Sequence, residues 1–221
     1  MIRLATVGTS AITEKFLAAC RLTNRYNFRT AYSRSREKGE QFAKSQGFET
    51  YSDDLMALAR DPEIDAVYIA NPNIFHYEQS KLFLENDKNV ICEKPITTDC
   101  KKYDELSEIA EKKGLIYAEA IMSHHSAGRK ILLDAVSKIG RISQVRIDFC
   151  QLSSRYDMFK RGEKVNIFDM TLAAGTLMDL GVYCVYSAVD LFGVPNGISA
   201  YAVFAENGAD LSGGAIFEYK N

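Results

Sequence analysis

The chain has 221 residues, a length that suits one or two domains with a buried core. Hydrophobic residues make up 47% and charged residues 25%, as in ordinary globular proteins, which excludes fibrous and disordered classes. The 27 Lys and Arg residues nearly balance the 29 Asp and Glu residues, and the net charge of −2 argues against binding to nucleic acid or to an anionic membrane surface.

The first 120 residues alternate between short apolar runs and segments with helical spacing. Six strands are predicted, at residues 2–7, 28–32, 47–51, 65–70, 89–92 and 115–119. Helices are predicted between them at about 12–23, 36–45, 75–85 and 100–112, the last of them capped by Asp99. Another helix is predicted between the third and fourth strands, capped by Ser52. This alternation indicates an α/β domain of residues 1–120, a doubly wound parallel sheet of the Rossmann type.

The pattern changes after residue 120, so a second domain is predicted over residues 121–221. Helices are expected at about 126–138 and 175–192, a half-exposed strand at 141–151, and strands at 199–205 and 213–219 joined by a turn-rich segment. These elements predict an α+β domain with a mainly antiparallel open sheet. Because the last strand ends two residues before the end of the chain, we expect that domain to be incomplete at its C-terminus.

Localisation and metal content can also be predicted from the sequence. The five cysteines are scattered without a C-x-x-C pair, which favours reduced thiols over disulfides or zinc. No apolar run approaches a membrane span and no signal peptide is evident, so a cytoplasmic protein with no membrane partner is expected. Of the three histidines, His124 and His125 are adjacent and could line a cleft, but neighbours rarely bind one metal, and no metal site is predicted.

The turn after the first strand is a candidate cofactor site. In a dinucleotide fold this turn aims helix N–H groups at the pyrophosphate, usually with the pattern G-x-G-x-x-G. Only the first glycine is present, because serine and threonine occupy the other two positions. An ordinary tight turn between strand and helix remains an alternative. The candidate residues are Gly8, Thr9, Ser10, Ala11 and Ile12.

The tip of the second strand carries Ser33 and Arg34, with no acidic residue before Glu37. An NAD site usually has Asp or Glu here to bind the ribose 2′-hydroxyl, whereas arginine suits a 2′-phosphate and can stack on adenine. NADP is therefore the predicted cofactor, with NAD still possible. The alternative is a solvated basic start to the next helix.

The tips of the fourth and fifth strands complete the predicted crevice. Asn71, Pro72, Asn73 and His76 follow the fourth strand, and Glu93, Lys94 and Pro95 follow the fifth. A lysine fixed at a strand end can polarise a carbonyl or lower the pKa of a neighbouring acid. Taken alone, these residues are also compatible with a loop, a helix cap and a surface lysine.

Asp179 and Tyr183 lie four residues apart in the second region, on one face of a predicted helix. With a lysine from the first domain they would form an acid/base site, in which the phenol gives or takes a proton. The alternative is a helix N-cap carboxylate and a core aromatic residue.

Together these elements resemble the glucose–fructose oxidoreductase/inositol dehydrogenase (Gfo/Idh/MocA) family, in its dihydrodiol dehydrogenase-like branch. The resemblance is carried by Gly8, Ser33-Arg34, the run from Asp61 to Asn73, His76, Glu93-Lys94-Pro95, and the run from Asp179 to Tyr183. It implies a Rossmann domain followed by an α/β domain with a large open sheet, through which members often form oligomers. A homo-oligomer, such as a dimer, is therefore expected if that sheet is complete.

The resemblance also implies roles for individual residues. Lys94 matches the lysine beside the nicotinamide, Asp179 the acid of the second-domain motif, and Tyr183 the position of the general acid/base, which is His in many members and Tyr in others. The implied reaction is hydride transfer between nicotinamide and a secondary alcohol or ketone of a sugar, polyol or dihydrodiol. A non-catalytic nucleotide-binding regulator and an inactive truncated member remain alternatives.

Overall fold

The computed structural model describes residues 1–220 and divides into two compact units, Met1–Ala120 and a second unit that begins at Ile121. This division lies at the boundary that we predicted from the sequence.

The first unit is built on a six-stranded sheet in which every pairing is parallel. Its strands lie in the spatial order β3-β2-β1-β4-β5-β6, so the order reverses between β1 and β4. Ligands of such open sheets bind at the carboxyl ends of the strands beside this reversal. The strands are β1 (Ile2–Val7), β2 (Tyr26–Tyr32), β3 (Thr50–Ser52), β4 (Ala66–Ile69), β5 (Asn89–Cys92) and β6 (Tyr117–Glu119).

Five helices connect these strands: α1 (Ala11–Thr23), α2 (Arg36–Gln46), α3 (Leu55–Arg60), α4 (His76–Glu85) and α5 (Cys100–Lys113). The predicted cap of α5 is confirmed, since the Asp99 side chain accepts a hydrogen bond from the backbone N–H of Lys101. The predicted cap of α3 is wrong by two residues. Asp54, not Ser52, accepts from the first free N–H groups of that helix, and the Ser52 hydroxyl instead holds the Asp54 backbone.

The core of the first unit lies on both faces of the sheet. Leu4 and Tyr68 pack on one face, and their neighbours Ala5 and Val67 pack on the other. Successive strand residues point to opposite faces, and helices cover both, so these strands are apolar throughout.

Among its described residues, the second unit contains three α-helices, short 3-10 and π-helical turns, and one hairpin. The α-helices and strands are α6 (Ala127–Lys138), α7 (Tyr156–Lys160), α8 (Val182–Phe192), β7 (Gly197–Phe204) and β8 (Asp210–Glu218), where β7 and β8 pair antiparallel. The strand predicted at 141–151 is wrong: within residues 1–220 this segment joins no sheet. Its alternation describes exposure, but a strand also needs a neighbour, and β7 and β8 pair only with each other among the described strands.

One stretch of the second unit meets the length and composition requirements of a membrane span, contrary to our expectation that no such run exists. Met170–Phe192 has 23 residues, a mean hydropathy of 1.4, and 6% of its most apolar window buried. The stretch is weak evidence for a span, because Ala173 and Gly175 interrupt its backbone with φ angles of 53° and 127°. It also carries the carboxylates Asp179 and Asp190, which are costly in lipid.

Candidate active site

The turn after β1 brings the chain close to the end of β4. Gly8 has a φ angle of +117°, and a Cβ atom there would lie 2.2 Å from the carbonyl oxygen of Ala70. Only glycine fits this position, because both the backbone conformation and the space exclude a side chain. The close approach places the N-terminus of α1 at the crevice where the strand order reverses, which fits a pyrophosphate.

The two missing glycines of the turn are replaced by a hydroxyl pair. Ser10 is the N-cap residue of α1, and its hydroxyl lies 3.4 Å from that of Thr13. The Ser10 side chain does not cap the helix N–H groups. Thr13 is fully buried, so it fills the position where the third glycine usually permits close packing of helix and strand.

The tip of β2 presents exposed cations. Arg34 is exposed, and its guanidinium lies 5.8 Å from the centroid of the Phe75 ring. Arg36 donates from Nε to the Tyr51 hydroxyl at 2.8 Å. Ser33 accepts a hydrogen bond from the backbone N–H of Ser35, which fixes the turn between them. This cationic tip fits a 2′-phosphate better than a free ribose hydroxyl.

An open cavity of about 390 Å³ adjoins this tip. Thr9 of the first turn lines it together with residues of α2: Lys38, Gln41, Phe42 and Ser45. The first turn and the basic start of α2 therefore share one concave surface. Lys38 is a residue that the sequence analysis did not place in the cofactor site.

His76 joins the tips of β4 and β5. Its ring nitrogens lie 2.8 Å from the carbonyl oxygen of Pro95 and 2.9 Å from that of Asn71. The side chain is fully buried, and burial lowers the pKa of His76. The buried ring supports the two loops from within, and a cofactor contact of His76 stays a prediction. Asn71 itself is hydrogen-bonded to Gln79.

Lys94 lies at the tip of β5 beside two partly buried carboxylates. Glu93 accepts hydrogen bonds from the Tyr68 hydroxyl at 2.5 Å and from the Lys94 backbone N–H at 3.3 Å. Glu119, at the end of β6, accepts from the Ile96 N–H at 2.9 Å. Burial raises the pKa of both carboxyls, and the nearby Lys94 ammonium opposes that effect. Glu93 thus holds the backbone of the lysine, and the cofactor contact that we predicted for Glu93 stays a prediction.

Asp179 and Tyr183 lie in the second unit, one turn apart. Asp179 belongs to a π-helical turn at Leu177–Gly181, and Tyr183 to the first turn of α8. Sequence reasoning predicted a regular helix here. Gly181 is the sequence signal that could have indicated otherwise, because a Cβ there would lie 2.9 Å from a Leu177 methyl group. Such turns often occur at functional sites. Tyr183 packs 5.7 Å from the Phe149 ring.

The two adjacent histidines lie in the second unit. His124 lines a cavity of about 180 Å³ that also contains Arg129 and Asp190, which are joined by two hydrogen bonds of 2.6 Å. The Nδ1 atom of His124 lies 3.7 Å from Asp190. Among residues 1–220, no three His, Cys, Asp or Glu side chains form a group that could hold a metal.

The first unit matches a model of the oxidoreductase family with an NAD-binding Rossmann fold (GFO_IDH_MocA), over residues 2–121. The chain belongs to this family. Its curated relatives include scyllo-inositol 2-dehydrogenase (NADP⁺) IolU of Bacillus subtilis, which is 38% identical over 99% of this chain and 67% of the relative. A trans-1,2-dihydrobenzene-1,2-diol dehydrogenase of Xenopus tropicalis is 27% identical over 85% of this chain and 56% of the relative. The chain thus spans between about half and two thirds of these relatives.

Solved structures of this oxidoreductase fold extend the likeness into the second unit. KijD10, a 3-ketoreductase from Actinomadura kijaniata, superposes with a TM-score of 0.84 at 23% identity, covering 99% of this chain and 66% of that one. Biliverdin reductase from Synechocystis has a TM-score of 0.78 at 19% identity, covering 99% and 68%. At this identity the likeness shows the fold. It confirms the predicted fold, a Rossmann domain followed by an α+β region with an antiparallel sheet.

Proposed function

We propose that this family member is an NADP-dependent oxidoreductase, which transfers hydride between nicotinamide C4 and a secondary alcohol or ketone carbon. The observation that carries the proposal is the position of Lys94, at a strand tip in the same crevice as the glycine turn and the cationic tip of β2. The substrate class we propose is a sugar, an inositol or related polyol, or a trans-dihydrodiol. The names of the inositol and dihydrodiol relatives support that class.

The cofactor would be held by the first unit. The N–H groups at the start of α1 would bind the pyrophosphate, Ser33 and Arg34 the 2′-phosphate, and Asn71–Asn73 would line the path toward the nicotinamide. Bound NADP supplies the hydride acceptor of the reaction. The preference for NADP over NAD is supported by the absence of an acidic residue from 33 to 36.

Proton transfer would be the work of three side chains. In the oxidative direction, Tyr183 in its deprotonated form would accept the proton of the substrate hydroxyl, while the hydride would leave the same carbon for the nicotinamide. The Lys94 ammonium would stabilise the negative charge that develops on the reacting oxygen. Asp179, one turn from Tyr183, positions the substrate through its hydroxyl groups.

Turnover of scyllo-inositol and of trans-1,2-dihydrobenzene-1,2-diol, followed as NADPH formation, tests the proposal. Lys94→Ala is expected to lower kcat at least about 100-fold, because it removes the charge that stabilises the developing oxyanion. Affinity for NADPH, measured by nucleotide fluorescence, should persist. Lys101→Ala removes the same charge from the exposed first turn of α5 and serves as the control.

Two other outcomes would contradict the proposal. Full activity in Lys94→Ala would remove the lysine from the mechanism. NADPH binding without turnover of any sugar, inositol or diol would favour a nucleotide-binding regulator.

We further propose a homo-oligomer, such as a dimer, formed through the sheet of the second unit if that sheet is complete, and a cytoplasmic location. Light scattering of the purified chain tests the first, and fractionation of cells tests the second.

A further inference from the structure

Tyr68 is a buried residue of β4 that the proposed mechanism does not use. Its side chain is 1% exposed, and its ring stacks on Phe16 of α1 at 3.8 Å with an interplanar angle of 7°. A phenol in the middle of an apolar strand needs a hydrogen-bond partner. Tyr68 has one in Glu93, whose Oε1 accepts from the hydroxyl at 2.5 Å.

Glu93 connects this buried phenol to Lys94. Its other oxygen, Oε2, accepts from the Lys94 backbone N–H at 3.3 Å. The carboxylate therefore spans from the core of the sheet to the peptide that carries the proposed catalytic lysine. Phe16, Tyr68, Glu93 and Lys94 form a continuous chain of contacts from α1 to the tip of β5.

The charged and titratable groups around this chain of contacts come from four elements. Glu93 interacts electrostatically with the adjacent Lys94 and with Glu119 of β6. Tyr68 interacts electrostatically with Glu93, with Cys20 of α1 and with Cys92 of β5. Burial raises the pKa of Glu93, and the hydrogen bond from Tyr68 and the Lys94 charge lower it. Burial also raises the pKa of Tyr68 well above its usual range, so the phenol keeps its proton and stays a donor.

We propose that Tyr68 is a positioning residue for Lys94. Its hydroxyl orients the Glu93 side chain through a hydrogen bond, and Glu93 in turn fixes the loop that presents the lysine. Because Tyr68 is buried, it would act through Glu93 and not directly on cofactor or substrate. The inference rests on the proposed function, because it assigns a purpose to holding Lys94 in place.

Tyr68→Phe tests the inference, since it keeps the ring and its stacking on Phe16 but removes the donor. Without that donor the Glu93 carboxylate is less stabilised, so its protonation should begin at higher pH. The acid limb of the kcat–pH profile is expected to move upward by roughly one pH unit, with KM and NADPH affinity little changed. In a Glu93→Gln background, the same substitution should leave the profile where it is.

The matched control is Tyr117→Phe. Tyr117 is a second partly buried tyrosine of the first unit, and its hydroxyl donates to the Ile96 carbonyl oxygen at 3.4 Å instead of to a carboxylate. Its removal should leave the acid limb in place. Thermal melting of each variant shows whether it is folded.

A second measurement separates this inference from the proposed function. The side-chain carbonyl carbon of Glu93, observed by NMR in protein labelled with ¹³C-glutamate and assigned with Glu93→Gln, titrates whether or not the enzyme turns over. A midpoint that rises in Tyr68→Phe but not in Tyr117→Phe supports the inference. An unchanged midpoint overturns it, as does a raised midpoint with an unmoved acid limb. Absence of turnover in the wild type removes the proposed function, and the NMR titration then decides alone whether the hydrogen bond from Tyr68 lowers the pKa of Glu93.

Discussion

At the scale of single residues, Arg34 should decide the choice of cofactor. Its exposed guanidinium at the tip of β2 can bind a 2′-phosphate through two charge-assisted hydrogen bonds. Arg34→Ala is therefore expected to weaken NADPH binding by about 10- to 100-fold and to leave NADH binding nearly unchanged. Paired fluorescence titrations measure both, and the chain contains no Trp to interfere.

Lys44→Ala, in the last turn of the same helix α2, provides the control for the loss of one positive charge. Tighter binding of NADH than of NADPH by the wild type would overturn the argument for the 2′-phosphate.

The sequence allowed prediction of residues at strand tips, but it did not reveal the network behind them. Gly8, Arg34 and Lys94 could be predicted as site residues because each follows an apolar run that forms a strand. The carboxyl ends of parallel strands meet at one edge of the sheet. Tyr68 lies within such a run and is indistinguishable there from a core aromatic. Pro95, one partner of His76, is 19 residues away along the chain, and Tyr68, one partner of Glu93, is 25 residues away. No local pattern encodes such contacts.

At the scale of elements, one ion pair joins the first residues of β1 to the start of β4. Arg3 donates from Nε and Nη2 to Asp65 at 3.0 and 2.6 Å, and its backbone N–H donates to the same carboxylate at 2.8 Å. The Arg3 guanidinium holds the pKa of Asp65 below its usual value. The stabilisation of the fold by this pair is therefore fully present above the pKa of Asp65 in the unfolded chain, which is about 3.9. It is lost as the pH falls through the lower pKa of Asp65 in the folded protein.

Asp65→Asn should lower the melting temperature at pH 7 by a few degrees at most, because the pair is still partly exposed to solvent. The difference from wild type should shrink toward zero at low pH, where the wild-type carboxyl is protonated as well. Asp104→Asn, an exposed acid on α5, should show no such dependence. A deficit that stays constant down to the lowest pH would mean that the charge of Asp65 is not what stabilises this edge.

Element types in the first unit could be predicted because period and length agree there. Strand β5 was predicted with its observed bounds, and the two strands of the hairpin within a few residues. The failure at 141–151 has a different cause, since alternation reports which side chains are exposed and says nothing of a partner strand. The π turn at Leu177–Gly181 was missed because it inserts an extra residue without altering the apolar pattern.

At the scale of the whole molecule, cofactor binding should be visible in only part of the chain. Binding to the folded form suppresses local opening where the ligand sits. NADPH is expected to slow amide hydrogen exchange at residues 8–13, 33–36, 71–75 and 93–95 and to leave the β7–β8 hairpin unchanged. Mass spectrometry of peptides measures this, with NADH at equal saturation as the comparison.

The difference between the two nucleotides should be confined to residues 33–36. If NADPH protected the β7–β8 hairpin from exchange as strongly as the strand tips of the first unit, a cofactor site built by the first unit would be contradicted.

The exposed tip of β2 has a consequence for how such a chain can evolve. Arg34 and Arg36 contact little besides the Phe75 ring and the Tyr51 hydroxyl, and neither belongs to the buried clusters of the first unit. Substitutions there can alter nucleotide preference while the packing that folds the domain is untouched. A lineage could therefore exchange one pool of reducing equivalents for the other by a few surface mutations, and a designer could do the same without redesigning the scaffold.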